Sequence, residues 1–188
     1  MDAVDDAFSA VPRHDFLPRS QRRRAAADEP LPIGHGQTNS QPRTVATMLR
    51  LLQVRPGDRV LDVGAGSGWT TGLLAHLTGP QGIVIATEIV PELVEVGRAN
   101  LTGSSASGLS WARIESADPD AIGWSAEAPY DRVLVSAEAR QLPTSLVDQI
   151  TVGGRMVVPV NGTMLLVRRG PDGVAVTEHG RYRFVPLL

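Results

Sequence analysis

Cysteine and lysine are both absent from the 188 residues. Without cysteine there is no disulfide, no thiol nucleophile and no thiolate metal site. Without lysine there is no Schiff-base amine and no P-loop lysine, and all 18 basic residues are arginine. Histidine is scarce. His14, His35, His76 and His179 are scattered and include no pair at helical metal-ligand spacing, so no metal site is expected. Long apolar runs are also missing, and nothing approaches the ~18 residues of a membrane span. The opening Met1-Asp2-Ala3-Val4-Asp5-Asp6 is acidic and unlike the basic-then-apolar start of a signal peptide. A cytoplasmic protein with no membrane partner is the expectation. With 42% hydrophobic residues and a net charge of −2, the chain reads as one globular domain over residues 1–188.

The centre of the sequence is Arg59-Val60-Leu61-Asp62-Val63-Gly64-Ala65-Gly66-Ser67-Gly68. Val60, Leu61 and Val63 form a short apolar run suited to a strand buried on both faces. The glycines at alternate positions then let the backbone approach a ligand, because no Cβ intervenes. Trp69 to Leu77 reads as the helix that follows. Dinucleotide sites use a G-x-G-x-x-G spacing at such a turn. Here the spacing is G-x-G-x-G, and an acidic residue stands two places before the first glycine. That form resembles the first motif of class I S-adenosylmethionine-dependent methyltransferases, and an acceptor such as Asp62 would suit the cationic amino-acid end of that cofactor.

Before this centre, residues 2–10 read as a short helix and residues 11–18 as a turn-rich stretch. Arg19 to Ala27 reads as a helix whose arginines form a solvated face; phosphate binding is the weaker reading for a slightly acidic chain, and no nucleic-acid partner is expected. Asp28 to Gln41 reads as a long polar loop, a type of segment that is often functional. Arg43 to Gln53 is amphipathic, with Val45, Met48, Leu49 and Leu52 on one face. Pro42 suits its first turn and Ser40 lies near its N-cap.

After the centre, strands are expected at 83–88, 109–115, 130–136 and 156–159, with helices at 91–100 and 143–150. Residues 102–108 read as a connector. A hairpin is expected from 163–168, a Gly170-Pro171-Asp172-Gly173 turn and 174–179, and a final strand at 182–187. The alternation implies a doubly wound α/β sheet, mostly parallel, with helices on both faces and antiparallel strands at one edge.

Three further positions carry candidate chemistry. Glu88 ends the second strand, where an acidic residue accepts from ribose hydroxyls; the competing role is a polar cap for the next helix. Asp118 follows the third strand and either accepts from an adenine amino group or makes a plain Asp-Pro turn. Gly34-His35-Gly36-Gln37-Thr38-Asn39-Ser40-Gln41-Pro42 offers hydroxyls and amides just before a helix, and on physical grounds alone Ser40 as a helix cap leads.

Val11-Pro12-Arg13, Leu31-Pro32-Ile33-Gly34-His35-Gly36-Gln37-Thr38, Ser40-Gln41-Pro42, Asp62 through Gly68, Ala128-Pro129-Tyr130-Asp131-Arg132, Gly153-Gly154-Arg155 and Arg183-Phe184-Val185-Pro186-Leu187 together resemble protein-L-isoaspartate O-methyltransferases, a class I methyltransferase family. The resemblance runs in order from about Val11 to Leu187. It implies a Rossmann-like fold, S-adenosyl-L-methionine as cofactor and S-adenosyl-L-homocysteine as product. It implies methyl transfer to the free carboxylate of an isoaspartyl residue, followed by closure to a succinimide and reopening partly to aspartate. By the family pattern Ser40 is the active-site serine, and Gln37 and Thr38 lie beside the cofactor. Asp62, Gly64, Gly66, Gly68, Glu88 and Asp118, read above from the glycine loop and the strand ends, are the further candidates on the cofactor side, and residues 1–42 supply the N-terminal helix and the substrate and cofactor loop. A monomer acting on isoaspartyl peptides and proteins is expected. Asn39 stands where the family usually has an aliphatic residue, and Glu138 where it has a small one. These two departures keep open a related O-methyltransferase acting on a carboxylate of a dedicated peptide or natural product. A non-catalytic nucleotide-binding module is the third possibility.

Overall fold

The computed structural model describes residues 2–103 and 108–187. Apolar runs make the central strands. β3 (Arg59–Val63), β4 (Ile83–Glu88) and β6 (Tyr130–Val135) are almost wholly buried. With β5 (Ala112–Ser116), β7 (Ile150–Val160), β8 (Thr163–Gly170) and β9 (Gly173–Arg181) they form a seven-stranded sheet in the order β5-β4-β3-β6-β7-β8-β9. The five strands from β5 to β7 pair in parallel, whereas β8 and β9 are antiparallel additions at one edge. The chain builds outward from β3 to β5, then returns to place β6 on the other side of β3. That reversal makes a topological switch point between β3 and β6, the place where open α/β sheets bind ligands.

Helices cover both faces. α1 (Ala3–Ala10), α2 (Pro42–Leu52), α3 (Trp69–Thr78) and α4 (Pro91–Gly103) contribute to one core with Val60, Val84, Leu134 and Val157. α5 (Thr144–Asp148) contributes Leu146 and Val147 to the other, with Leu61, Ile85, Val133 and Met156. Neighbouring residues of β3 thus point to opposite cores, as a strand's period of two requires. The predicted doubly wound α/β architecture is the observed one.

Four local expectations differ. Arg19–Ala27 is not an α-helix; it holds only a 3-10 turn at Arg22–Arg24. The segment lacks an apolar face to bury, and the buried guanidinium of Arg13 holds the Ala25 and Ala27 carbonyls at its end. Residues 28–41 are not wholly irregular. β1 (Leu31–Gly34) and β2 (Gln37–Asn39) pair antiparallel around His35 and Gly36, both at positive φ, as a tight two-residue hairpin turn needs. β7 begins at Ile150, well before the predicted 156: Ile150 pairs with Tyr130, and Gly153, at a φ of 89°, and Gly154 lie in an irregularity of the register before Arg155 pairs with Arg132. Residues 182–187 form no regular strand. The tail is pinned instead by the Glu138 amide on the Val185 carbonyl (2.8 Å) and the Leu187 amide on the Glu138 carbonyl (2.9 Å). Of the expected connector at 102–108, residues 104–107 lie outside the described residues.

Candidate active site

The glycine loop leaves β3 in a conformation that only glycine adopts easily. Gly64, Gly66 and Gly68 have φ of 85°, 53° and 87°. At Gly68 a Cβ would stand 3.1 Å from the Gly97 carbonyl of α4, so the loop also packs too closely to α4 for a side chain. The loop is then tied on every side. The amides of Gly64 and Ala65 donate to the Thr87 carbonyl at 2.9 and 3.0 Å. The Gly66 amide donates to Glu88 Oε2 at 2.7 Å, and Asn100 Nδ2 donates to the Ser67 carbonyl at 2.9 Å.

A cavity of about 700 Å³ opens over the C-terminal ends of β3 to β6. Gln37, Thr38, Gly64, Gly66, Glu88 and Asp118 all line it, as do Ile89, Ile122 and Ser136. Six of the predicted site residues therefore share one wall. Its lining combines carboxylates able to accept from hydroxyl and amino groups with apolar surface for a flat ring.

Two predicted cofactor residues do not line this cavity. Gly68 sits at the N-terminus of α3, where its φ and its contact with α4 shape the loop. Asp62 lies fully buried beneath the loop. Its Oδ2 accepts from Thr70 Oγ1 at 2.9 Å and Thr71 Oγ1 at 2.8 Å, and Ser136 Oγ reaches its Oδ1 at 3.5 Å. Burial pushes the Asp62 carboxyl up to about 6; the three hydroxyls hold it down and the charge of Glu88 raises it further. Asp62 thus joins the end of β3 to the start of α3, beneath the loop.

Glu88 lines the cavity and also braces the backbone around it. Besides Gly66, it accepts from the amides of Ile89 and Val90, each at 2.9 Å. Both amides lie in the turn before α4, which starts at Pro91, so Glu88 braces that turn and accepts from no amide of the helix itself. A carboxylate has about four acceptor positions, so one remains for a ligand hydroxyl. Asp118 makes the expected turn, accepting from the Asp120 amide at 2.9 Å, and it also lines the cavity.

Ser40 does not cap α2. The N-cap residue is Gln41, with no side-chain cap bond, and the carboxylate of distant Asp28 accepts the Arg43 amide at 2.9 Å. Ser40 instead lines a small cavity of about 300 Å³ with Thr38, Asn39, Gly64, Gly66, Ser67 and Ser136. It also lines a groove of about 610 Å³ with Pro30, Thr38, Thr44, Ser136, Arg183, Phe184 and Val185. Thr38 and Ser136 border all three spaces. Ser136 was not foreseen in the sequence as a site residue. The available signal was its position just past the end of a strand beside the switch point. Glu138 lines none of these spaces and engages the tail through its backbone.

The whole chain, residues 1–188, matches the family described as Protein-L-isoaspartate(D-aspartate) O-methyltransferase. A protein-L-isoaspartate O-methyltransferase of Methanopyrus kandleri is 44% identical over 190 residues, covering 98% of this chain and 83% of that relative. One from an Anaeromyxobacter species is 46% identical over 191 residues, covering 98% of this chain and 87% of the relative. Among solved structures, a Plasmodium falciparum protein described as such a methyltransferase, in complex with S-adenosyl-L-homocysteine, is similar at a TM-score of 0.87 and 26% identity. That likeness covers 100% of this chain and 91% of the other. With the glycine loop, the acidic cavity and the Ser40 groove in place along its full length, the chain belongs to the protein-L-isoaspartate (D-aspartate) O-methyltransferase family.

Proposed function

We propose that this chain transfers the methyl group of S-adenosylmethionine to the free carboxylate of L-isoaspartyl residues in peptides and proteins. The product S-adenosylhomocysteine is released, and the ester starts repair through a succinimide. The observation that carries this reading is that Thr38 and Ser136 border both the cavity over the glycine loop and the open groove that Ser40 lines.

Gln37, Thr38, Gly64, Gly66, Glu88 and Asp118 would hold the cofactor directly, with Gly68 and Asp62 shaping the loop around it. When bound, the cofactor supplies an electrophilic methyl group on a sulfonium. The acceptor carboxylate, with an ordinary pKa near 4, is ionised at pH 7 and needs no strong base. The chain's task is alignment. The Ser40 hydroxyl, free of capping duty, donates to one carboxylate oxygen and leaves the other to attack. The groove beside Arg183 and Phe184 holds the flanking peptide.

Neither departure from the family pattern favours a dedicated peptide substrate, because Asn39 is buried in a hydrogen-bond chain and Glu138 is outside the groove. A purely nucleotide-binding module has no use for the groove. We further propose a cytoplasmic monomer without nucleic-acid or membrane partners. In support, Arg22 is spent on the Leu17 carbonyl and Arg24 on Glu29. Among the described residues no helix is long and apolar enough to cross a membrane.

The test is transfer of labelled methyl groups to an isoaspartyl peptide and to its aspartyl twin. Labelling of the isoaspartyl form alone is expected. Equal labelling of both, or of neither, overturns the assignment.

A further inference from the structure

Arg13 and Asn39 are both buried, at 6% and 5% exposure, and they connect the two sides of the site. Arg13 Nε donates to Asn39 Oδ1 at 2.7 Å. A guanidinium only donates, so the amide oxygen must face it, and this fixes the amide group. Asn39 Nδ2 therefore points at the glycine loop, where it donates to Ser67 Oγ at 3.1 Å. The Ser67 oxygen is an acceptor in this chain. Its own proton remains to be donated, and among the described residues no group accepts it. Ser67 lines the small cavity that Ser40 also lines.

The source of this polarity is a cation. Burial brings the Arg13 pKa down to about 10, which leaves the side chain charged at neutral pH. Its charge polarises the Asn39 amide and strengthens the next donor along the chain. Arg13 also donates to the Ser40 carbonyl at 2.9 Å. One buried arginine thus fixes the serines on both sides of one cavity. The aliphatic residue usual at position 39 in the family could neither accept from Arg13 nor donate to Ser67.

We propose that Asn39 is a positioning residue that aims the Ser67 hydroxyl, as a donor, into the cavity beside Ser40, where it binds a carboxylate. The inference rests on the methyl-transfer reading, which brings two carboxylates to this place: that of the cofactor's amino-acid end and that of the acceptor.

Two substitutions test it. Ser67→Ala removes the donor and leaves Arg13 and Asn39 paired. Asn39→Asp keeps the acceptor for Arg13 but presents a second acceptor to Ser67, which turns the hydroxyl proton away from the cavity. S-adenosylhomocysteine affinity by calorimetry reports the cofactor carboxylate. KM for an isoaspartyl peptide at saturating cofactor reports the acceptor carboxylate. Both variants should stay folded, Ser67→Ala with a lowered melting temperature because the buried Asn39 Nδ2 loses its acceptor, and should lose about ten-fold in the same one of these two measures. The double variant should lose no more than Ser67→Ala alone, since both changes act on one proton. Parent-like values in both measures for Ser67→Ala overturn the proposal, as do losses that multiply in the double variant. Should Asn39→Asp fail to fold, Ser67→Ala decides alone. Should the parent protein not methylate the peptide, the functional reading fails separately, and the calorimetric arm decides the role of Ser67.

Discussion

Asp62→Asn should stabilise the protein at neutral pH while weakening its hold on the cofactor. Asp62 has no exposed surface, and burial lifts its carboxyl from the ordinary 3.8 to about 6. Its folded pKa lies above its unfolded one, so the ionised form is disfavoured by folding. The resulting penalty is absent below about pH 4, grows as the pH rises to about 6, and is complete above that. The full penalty is about 3 kcal/mol. An amide in this place still accepts from Thr70 and Thr71, can face Ser136, and carries no charge. The difference in unfolding free energy between variant and parent should therefore rise by up to about 3 kcal/mol between pH 4 and pH 7 and then level off. Urea denaturation at a series of pH values measures it, and taking the difference removes the titration of every other group. A difference that stays flat across this window would refute the argument. S-adenosylhomocysteine affinity should fall in the same variant, because the lost charge attracts the cationic amino group of the ligand through the loop.

Glu88→Ala should cost both stability and cofactor affinity, each by roughly 1–3 kcal/mol, since three backbone amides lose their acceptor along with any ligand hydroxyl. Melting curves and calorimetry separate the two effects, and unchanged cofactor affinity would remove Glu88 from the binding site. Activity should respond only mildly to salt. Tight RNA or DNA binding whose logarithm falls steeply with the logarithm of salt would contradict the reading of Arg19 to Arg24 as a solvated face.

The parts of this site that were legible in the sequence are those whose cause is local. Val60-Leu61-Asp62-Val63 is apolar enough to be a central strand in almost any context, and the alternate glycines demand a left-handed turn just after it. Glu88 and Asp118 were placed by counting strand ends. What escaped was set by distant partners. The Ala25 and Ala27 carbonyls are held by Arg13, 12 and 14 residues away along the chain. Ser40 is released from capping because Asp28 reaches the start of α2 across 15 residues. Asn39 reads as a departure in a polar loop, and only the fold shows it bonded to Arg13 and Ser67. The C-terminal Val185 and Leu187 look like strand residues, yet they are held by one backbone pairing at Glu138.

The central claim is that Ser40 serves the acceptor carboxylate and not the helix behind it. Ser40→Ala should leave the melting temperature and S-adenosylhomocysteine affinity close to those of the parent, since Asp28 already serves the start of α2. Single-turnover methyl transfer to an isoaspartyl peptide should slow by the equivalent of about 2–4 kcal/mol, as when a donor is removed from a preorganised site. That corresponds to a rate loss of roughly 30- to 1000-fold. Near-normal single-turnover rates with a lowered melting temperature would contradict the account and return Ser40 to a structural role.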